Sequence, residues 1–221
     1  MKRQALLSWS SGKDSAWALH RMREHPEVEI IGLFTTVNEQ FERVAMHAVR
    51  LELLRLQAAA AGLPLHLIRI PWPCSNQEYE ARFQRFAERC ARERIRHFVF
   101  GDLYLEDVRA YREQQLQGSG IRPLFPLWGQ DTHTLATTMT DAGLRARLSC
   151  VDPKQLSADW AGRDFDPAFI DQLPDGVDPC GEHGEFHSFA YAGPMFRSPI
   201  AIRSGETVER DGFVFTDLLP A

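Results

Sequence analysis

The chain has 221 residues, of which 44% are hydrophobic and 25% charged, a composition typical of an ordinary globular protein with a substantial core. Its net charge of −5 argues against a protein that mainly binds nucleic acid or an anionic membrane. No apolar run is long enough for a transmembrane helix and no leader pattern precedes the first strand, so we expect a cytoplasmic protein. The four cysteines form no Cys-x-x-Cys pair and are expected to be reduced thiols.

Strands and helices alternate through the N-terminal part of the sequence. Apolar runs predict strands at 4–9, 28–35, 65–70 and 97–101. Helical periodicity predicts helices at 15–25 and 46–61, and a third helix that Asn76 caps. Repeated strand–helix units imply right-handed crossovers and a Rossmann-like parallel sheet covered by helices, an α/β fold. In such sheets ligands bind beyond the carboxyl ends of the strands.

The pattern changes after Pro126. A helix is predicted at 132–142 and a strand at 145–151, and proline and glycine are then frequent from 174 to 184. Asp211-Gly212 predicts a hairpin turn between strands at 207–210 and 213–216. We therefore predict two units: an N-terminal lobe (1–128) and a smaller α+β C-terminal lobe (129–221) over its mouth.

The most informative segment joins the first strand to the first helix. It reads Ser-Ser-Gly-Lys-Asp-Ser at 10–15 (the 10–15 loop). Backbone N–H groups and the helix dipole favour an anion at such a turn, and Lys13 adds a positive charge. A Walker loop is excluded because it would need glycine at Leu7 and Ser or Thr at Asp14. Helix capping by serine alone would not explain the Gly-Lys-Asp-Ser run, which favours a phosphate-binding loop.

A second polar segment, Gly-Asp at 101–102 with charged residues to 109, follows the fourth predicted strand at the same sheet edge. If a helix begins at Asp102, Glu106 lies one turn further on with Arg109 beside it. Carboxylates suit Mg²⁺ and an arginine suits phosphate. The alternative is a first-turn acid followed by a solvated Glu–Arg face. The position beside the 10–15 loop favours the functional interpretation.

A third segment, at 178–188, holds acids, histidines and a cysteine spaced by glycines (the 178–188 segment). If a strand begins at Glu185, the side chains of Glu185 and His187 share one face. We favour a polar pocket that binds an acceptor or moves protons. A zinc site made by Cys180, His183 and His187 and a purely structural glycine-rich turn are the alternatives.

These three segments together resemble one family. The 10–15 loop resembles the SGGKDS signature of the PP-loop ATP pyrophosphatases, with Ser11 at its first glycine. The 178–188 segment, with Gly101-Asp102, the stretch from Asn38 to His47 and Pro-Leu-Trp at 126–128, resembles the diphthine–ammonia ligase-like PP-loop proteins, specifically their bacterial-type branch. Eukaryotic and archaeal members carry Glu-Tyr-Glu-Thr where this chain has Glu-Phe-His-Ser at 185–188, so diphthine itself is not carried over.

The resemblance implies a lobe of the adenine-nucleotide α-hydrolase (HUP) type at 1–128, which binds ATP and Mg²⁺, and a substrate-binding lobe at 129–221. It implies adenylation of an acceptor with release of pyrophosphate, followed by transfer of ammonia or another nitrogen donor. The expected nucleotide-binding residues are Ser8, Ser10, Ser11, Gly12, Lys13, Asp14, Ser15, Thr35 and Thr36. The expected catalytic residues are Lys13, Asp14, Asp102, Glu106, Arg109, Glu185 and His187. Asp14 and Asp102 would hold the metal, and Glu182, Glu185 and His187 would bind the substrate.

Two other functional classes stay open. The chain could be a regulator that binds ATP without chemistry, or an RNA-modifying PP-loop enzyme. A run of arginines on the third predicted helix would meet RNA phosphates, but interleaved glutamates favour an ion-paired, solvated face. The expected partner is a small-molecule or protein acceptor, with neither nucleic acid nor membrane, and a homodimer is left open.

Overall fold

The computed structural model describes residues 2–40, 43–44 and 49–221, with only the backbone at 43–44. The strands are β1 (Arg3–Ser8), β2 (Val28–Asn38), β3 (Arg43–Val44), β4 (Leu65–Ile70), β5 (His97–Val99), β6 (Arg122–Leu124), β7 (Arg145–Val151), β8 (Asp164–Phe165), β9 (Phe186–Ala192), β10 (Ile202–Arg210) and β11 (Phe213–Pro220). The helices are α1 (Lys13–Arg23), α2 (Leu51–Ala61), α3 (Asn76–Arg92), α4 (Glu106–Leu116), α5 (Thr132–Asp141) and α6 (Pro167–Gln172), and Ala158–Trp160 forms one 3₁₀ turn.

Five parallel strands form the N-terminal sheet in the order β4-β2-β1-β5-β6. The short strand β3 pairs antiparallel with the end of β2. Because β1 lies at the centre, its Ala5, Leu6 and Leu7 are almost completely buried, as expected for a strand covered on both faces. The parallel α/β sheet predicted from the alternating pattern is confirmed.

Aromatic side chains fill one face of this sheet. Phe34 of β2 and Phe98 of β5 have ring centroids 4.6 Å apart, and Phe83 and Phe86 of α3 pack over both. The opposite face holds the second core cluster, which continues without a break from α1 and α2 into the C-terminal lobe. The two lobes therefore share one core on that side.

The C-terminal lobe contains a separate antiparallel sheet in the order β10-β11-β7-β8, with β9 on the other edge of β7. The predicted strand at 145–151 and the predicted hairpin are confirmed, since Arg210 pairs with Phe213 across the turn. Asp211 and Gly212 have φ values of 54° and 81°, the left-handed conformations that a two-residue hairpin turn requires. This lobe combines helix and antiparallel sheet, as the α+β prediction stated.

Two helices of the N-terminal lobe begin later than the sequence analysis predicted for one and considered for the other. Helix α2 begins at Leu51, after Val49 and Arg50 in non-helical conformations, whereas the periodicity had extended it to 46. The predicted positions Met46 and His47 lie outside the described residues. Helix α4 begins at Glu106 rather than at Asp102.

The cap of α3 and two short elements also differ from the prediction. Ser75 caps α3, because its hydroxyl accepts the Glu78 N–H at 3.2 Å, and Asn76 is the first helical residue. The strand predicted at 28–35 continues to Asn38. Strand β6 and helix α6 were not predicted, since three and six residues are too short to show a period. Among the described residues, no helix combines the length and apolar character needed to cross a bilayer.

Gln57 of α2 connects the two lobes through a buried set of hydrogen bonds. Its amide donates to the carbonyls of Ser11 and Ala190 at 2.9 and 2.7 Å, and its Oε1 accepts the Trp9 indole N–H at 2.8 Å. The side chain is completely buried. Since buried polar groups are costly without partners, this amide specifies how the 10–15 loop, α2 and β9 fit together.

We expect Gln57→Leu to lower the free energy of unfolding by about 2–4 kcal/mol, because it leaves the Trp9 N–H unpaired and removes a donor from two carbonyls. Urea denaturation monitored by tryptophan fluorescence measures this loss. Leu56→Ala on the exposed side of the same helix is the control and is expected to cost under about 1 kcal/mol. Equal losses in the two variants would contradict the assigned role of Gln57.

Candidate active site

The 10–15 loop turns sharply from the carboxyl end of β1 into α1. Ser11 has a φ of 75° and Gly12 is the extended N-cap of α1. The hydroxyl of Ser15 donates to the Gly12 carbonyl at 3.0 Å, and the hydroxyl of Ser10 donates to that of Ser15 at 3.1 Å. These bonds direct the first backbone N–H groups of α1 toward one cavity, as an anion-binding helix terminus requires.

Two glycines allow other backbones to approach this loop closely. A Cβ at Gly101 would lie 3.0 Å from the Asp14 carbonyl and the Ser15 nitrogen, which fixes the end of β5 against α1. A Cβ at Gly12 would lie 3.3 Å from the Ser188 carbonyl of β9. The hydroxyl of Ser188 accepts the Lys13 backbone N–H at 3.3 Å. The C-terminal lobe therefore supplies the side chain that caps α1, a residue that the sequence analysis did not identify.

Lys13 is buried with only 2% of its surface exposed. Its Nζ donates to Asp14 Oδ2 at 2.9 Å and to the Cys180 carbonyl, and it lies 5.2 Å from the centre of the Phe186 ring. Burial is the largest influence on the pKa of this amine and would lower it, but Asp14 and the other acidic groups around it, Glu182 among them, together outweigh burial and the net pKa is raised. Lys13 is therefore a buried, permanently charged cation at the floor of the loop.

The 10–15 loop and the 178–188 segment enclose a cavity of about 230 Å³ (the loop cavity). Backbone and polar side chains from both lobes line it. The lining residues are Ser8, Ser10, Gly12, Lys13, Asp14, Ser15, Phe100, Gly101, Asp102, Arg112, Cys180, Gly181, Glu182, Gly184, Phe186, His187 and Ser188. The structure thus brings most of the predicted phosphate, metal and acceptor residues to one place.

A second, larger cavity of about 620 Å³ adjoins the loop cavity (the aromatic cavity). Its walls come from the ends of β1, β2 and β4 and from α3 and α4. The lining residues are Ser8, Trp9, Ser10, Phe34, Thr35, Thr36, Ile70, Asn76, Tyr79, Phe83, Asp107, Val108, Tyr111 and Arg112. It contains the predicted Thr35 and Thr36 and offers the flat, largely apolar environment that suits a nucleobase.

Three acids beside the 10–15 loop have oxygen atoms without a hydrogen-bond partner among the described residues. These buried atoms are Asp14 Oδ1, Asp102 Oδ2 and Glu185 Oε2. Asp14 and Asp102 both line the loop cavity. Mg²⁺ is commonly bound by one or two carboxylates together with substrate phosphates, so these two residues fit that ion.

The two glutamates of the 178–188 segment are held by backbone donors. Oε1 of Glu182 accepts the Leu103 N–H at 3.0 Å, and Oε1 of Glu185 accepts the Asp178 N–H at 3.0 Å. Burial raises the pKa of Glu182 to about 7 and lowers the pKa of His187 to about 4. At neutral pH His187 is therefore uncharged and Glu182 exchanges its proton readily.

The zinc alternative finds no support in the described part of the chain. No three His, Cys, Asp or Glu side chains described there converge into a metal-binding group. The Cys180 thiol contacts the Thr132 carbonyl at 3.4 Å, and His183 lies against the Tyr104 hydroxyl at 2.9 Å. Burial also raises the pKa of the Cys180 thiol, which disfavours the thiolate that zinc requires.

Four of the predicted residues line neither cavity. Two of them, Ser11 and Glu185, are buried beside the loop cavity. Glu106 is the exposed first residue of α4, and Arg109 donates to Glu113 at 2.9 Å while packing over Trp128. Arg112, one turn further along α4, lines both cavities instead. The sequence analysis missed Arg112 because it chose the side of the helix that carries Glu106 and Arg109 by reference to Asp102, which precedes α4.

Comparison with known proteins identifies the family of the chain. The model of the diphthamide synthase N-terminal domain matches residues 1–123, and that of the diphthamide synthase C-terminal domain matches 131–216. The chain belongs to the diphthamide synthase family. Both matched domains contribute to the loop cavity, since Lys13 lies in the first and Glu182 in the second.

Curated relatives align with nearly the whole chain at low identity. The mouse diphthine–ammonia ligase is 24% identical over 97% of this chain and 88% of its own length. The human and zebrafish diphthine–ammonia ligases are 25% and 26% identical, over 94% and 80% of this chain and 85% and 70% of their own lengths. All three of these relatives are named diphthine–ammonia ligase.

The left-handed conformation of Ser11 generates a stability prediction. A serine with φ of 75° is strained, and its buried Oγ has no partner among the described residues. We expect Ser11→Gly to be more stable than Ser11→Ala by about 1 kcal/mol, because only glycine removes the backbone strain. Chemical denaturation of both variants tests this, and a less stable glycine variant would contradict it.

The raised pKa of Glu182 predicts a pH-dependent effect on stability. The native state binds this proton up to about pH 7, whereas an unfolded glutamate releases it near 4.5, so wild-type stability falls as pH rises between these values. We expect Glu182→Gln to be neutral near pH 5 and to stabilise by roughly 1–3 kcal/mol near pH 8.5. Urea denaturation of wild type and variant at both pH values measures this change in the free energy of unfolding. Exposed Glu209→Gln is the control, and its effect on stability should be the same at the two pH values.

Proposed function

We propose that this chain is a ligase that adenylates an acceptor with ATP, releases pyrophosphate and then transfers ammonia or another nitrogen donor. We also propose that residues 1–128 bind the nucleotide and that 129–221 bind the acceptor. The observation that carries the proposal is the joined pair of cavities. One has a polar helix terminus with a buried lysine, and the other has aromatic walls.

In this proposal the nucleotide spans both cavities. The adenosine occupies the aromatic cavity near Ser8, Thr35 and Thr36, and the β- and γ-phosphates lie at the 10–15 loop. The N–H groups at the start of α1 and the Lys13 ammonium stabilise the charge that develops on the leaving pyrophosphate. Asp14 and Asp102 would hold Mg²⁺, which neutralises phosphate charge when bound.

The acceptor enters beside the 178–188 segment. An acceptor oxygen attacks the α-phosphorus, the bond from that phosphorus to the bridging oxygen breaks, and the bond's electron pair leaves with pyrophosphate. The nitrogen donor then attacks the activated carbon, and AMP leaves with the oxygen through which it was attached. Glu182, Glu185 and His187 bind the acceptor, and the proton released by the nitrogen passes to Glu182, whose pKa lies near neutrality.

The contacts of two arginines on α3 argue against the RNA-binding alternative. Arg82 donates to Glu78 and Glu39 at 2.7 and 3.1 Å, and Arg89 lies over the Phe86 ring. The charge of Arg82 is balanced by two glutamates, which supports an ion-paired face rather than one that binds RNA phosphates.

We expect Lys13→Met to reduce turnover of ATP at least about 100-fold, because the buried cation stabilises the charge of the departing pyrophosphate. ³¹P NMR of Mg-ATP with the protein, ammonium and a small-molecule cell extract as the source of acceptor measures the products. The expected wild-type products are AMP and pyrophosphate. Exposed Lys154→Met is the control and should leave turnover unchanged.

The other product patterns each reject the proposal in a different way. ADP and phosphate would contradict cleavage between the α- and β-phosphates. Tight stoichiometric binding of intact ATP would instead favour a regulator. Because Lys13 is buried beside Asp14, replacing it also affects stability. Circular dichroism of Lys13→Met distinguishes a loss of activity from a loss of folding.

A further inference from the structure

Arg112 lies at the boundary between the two cavities. Among the described residues, only Ser8, Ser10 and Arg112 line both of them. Ser8 and Ser10 come from the end of β1, whereas Arg112 reaches the same place from α4. A nucleotide that fills both cavities must pass between these residues.

The guanidinium of Arg112 is held in place but is not fully paired. It lies over the Phe100 ring, 5.1 Å from the ring centre, and its Nε is 3.5 Å from Asp102 Oδ2. That separation is an ion-pair distance and too long for a good hydrogen bond, and both atoms are buried without a hydrogen-bond partner among the described residues. A guanidinium beside a cavity is suited to binding phosphate oxygens through its planar set of N–H donors.

We propose that Arg112 binds the α-phosphate of the nucleotide. This inference rests on the proposed function, because it places adenosine in the aromatic cavity and the β- and γ-phosphates at the 10–15 loop. The α-phosphate then lies at the junction, where Arg112 is the cation that both cavities share. During adenylation the guanidinium neutralises charge on the non-bridging α-oxygens while the bond to the bridging oxygen breaks.

The face of α4 that carries Arg112 supports this role. Asp107, Val108, Tyr111 and Arg112 all line the aromatic cavity, and their spacing of one and four residues defines one side of a helix. Arg109 lies on a different side, paired with Glu113. Arg109 thus offers a matched control: the same residue type, on the same helix, away from the junction.

The test compares the dissociation constants of adenosine, AMP and pyrophosphate by isothermal titration calorimetry without Mg²⁺. We expect Arg112→Gln to weaken AMP binding about ten-fold or more while changing adenosine and pyrophosphate binding less than about two-fold. Arg112→Lys should recover part of the AMP affinity because it restores the charge without the planar fork. Arg109→Gln should bind all three ligands as the wild type does.

Three results would overturn the assignment. Unchanged AMP binding in Arg112→Gln would remove the phosphate contact, and an equal loss for adenosine would show that Arg112 only supports the cavity wall. A loss confined to pyrophosphate would place Arg112 at the β- and γ-phosphates. Failure of the proposed function is seen separately, since wild-type protein would then yield ADP, or no cleavage, in the ³¹P experiment.

Discussion

Strand β9 holds the 10–15 loop in the conformation on which the candidate site depends. The Ser11 carbonyl accepts the Ala190 N–H at 2.9 Å and the Gln57 amide at the same distance, and the Ser188 hydroxyl caps α1. The loop belongs to the N-terminal lobe, yet two of its backbone hydrogen bonds, on the Ser11 carbonyl and the Lys13 N–H, come from the C-terminal lobe. A buried backbone carbonyl or N–H without a partner costs of order 1–3 kcal/mol, so the two lobes cannot separate without disturbing the loop.

In the proposed function, this dependence couples phosphate binding to acceptor binding. The Cys180 carbonyl binds the Lys13 ammonium, and Glu182 follows two residues later with its carboxyl on the Leu103 N–H. A phosphate that draws the ammonium toward itself competes with that carbonyl and so acts directly on the 178–188 segment. The position of the Lys13 ammonium therefore influences the position of Glu182 in the 178–188 segment.

Ser11 shows how a local departure from a motif is accommodated. At the position where the PP-loop signature has glycine, this chain holds a serine at φ 75°. The backbone on both sides of it is fixed, by Gln57 and Ala190 on its carbonyl and by Ser10 and Ser15 in the loop. Strained backbone persists where the surroundings over-determine it, and such places cluster at functional sites. These hydrogen bonds hold Ser11 in a left-handed conformation that glycine would adopt without strain.

Turns, strands and motifs that depend on local chemistry could be predicted from the sequence. The side of a helix that faces the candidate site could not. The hairpin at Asp211-Gly212 and the strand at 145–151 follow from turn residues and apolar runs, and the 10–15 loop follows from its motif. Asp102 precedes α4, which begins at Glu106, so its position cannot indicate which side of the helix faces the cavity. Asp107 and Val108 lie one helical turn before Tyr111 and Arg112, and all four line the aromatic cavity. This spacing identifies the side of α4 that carries Arg112.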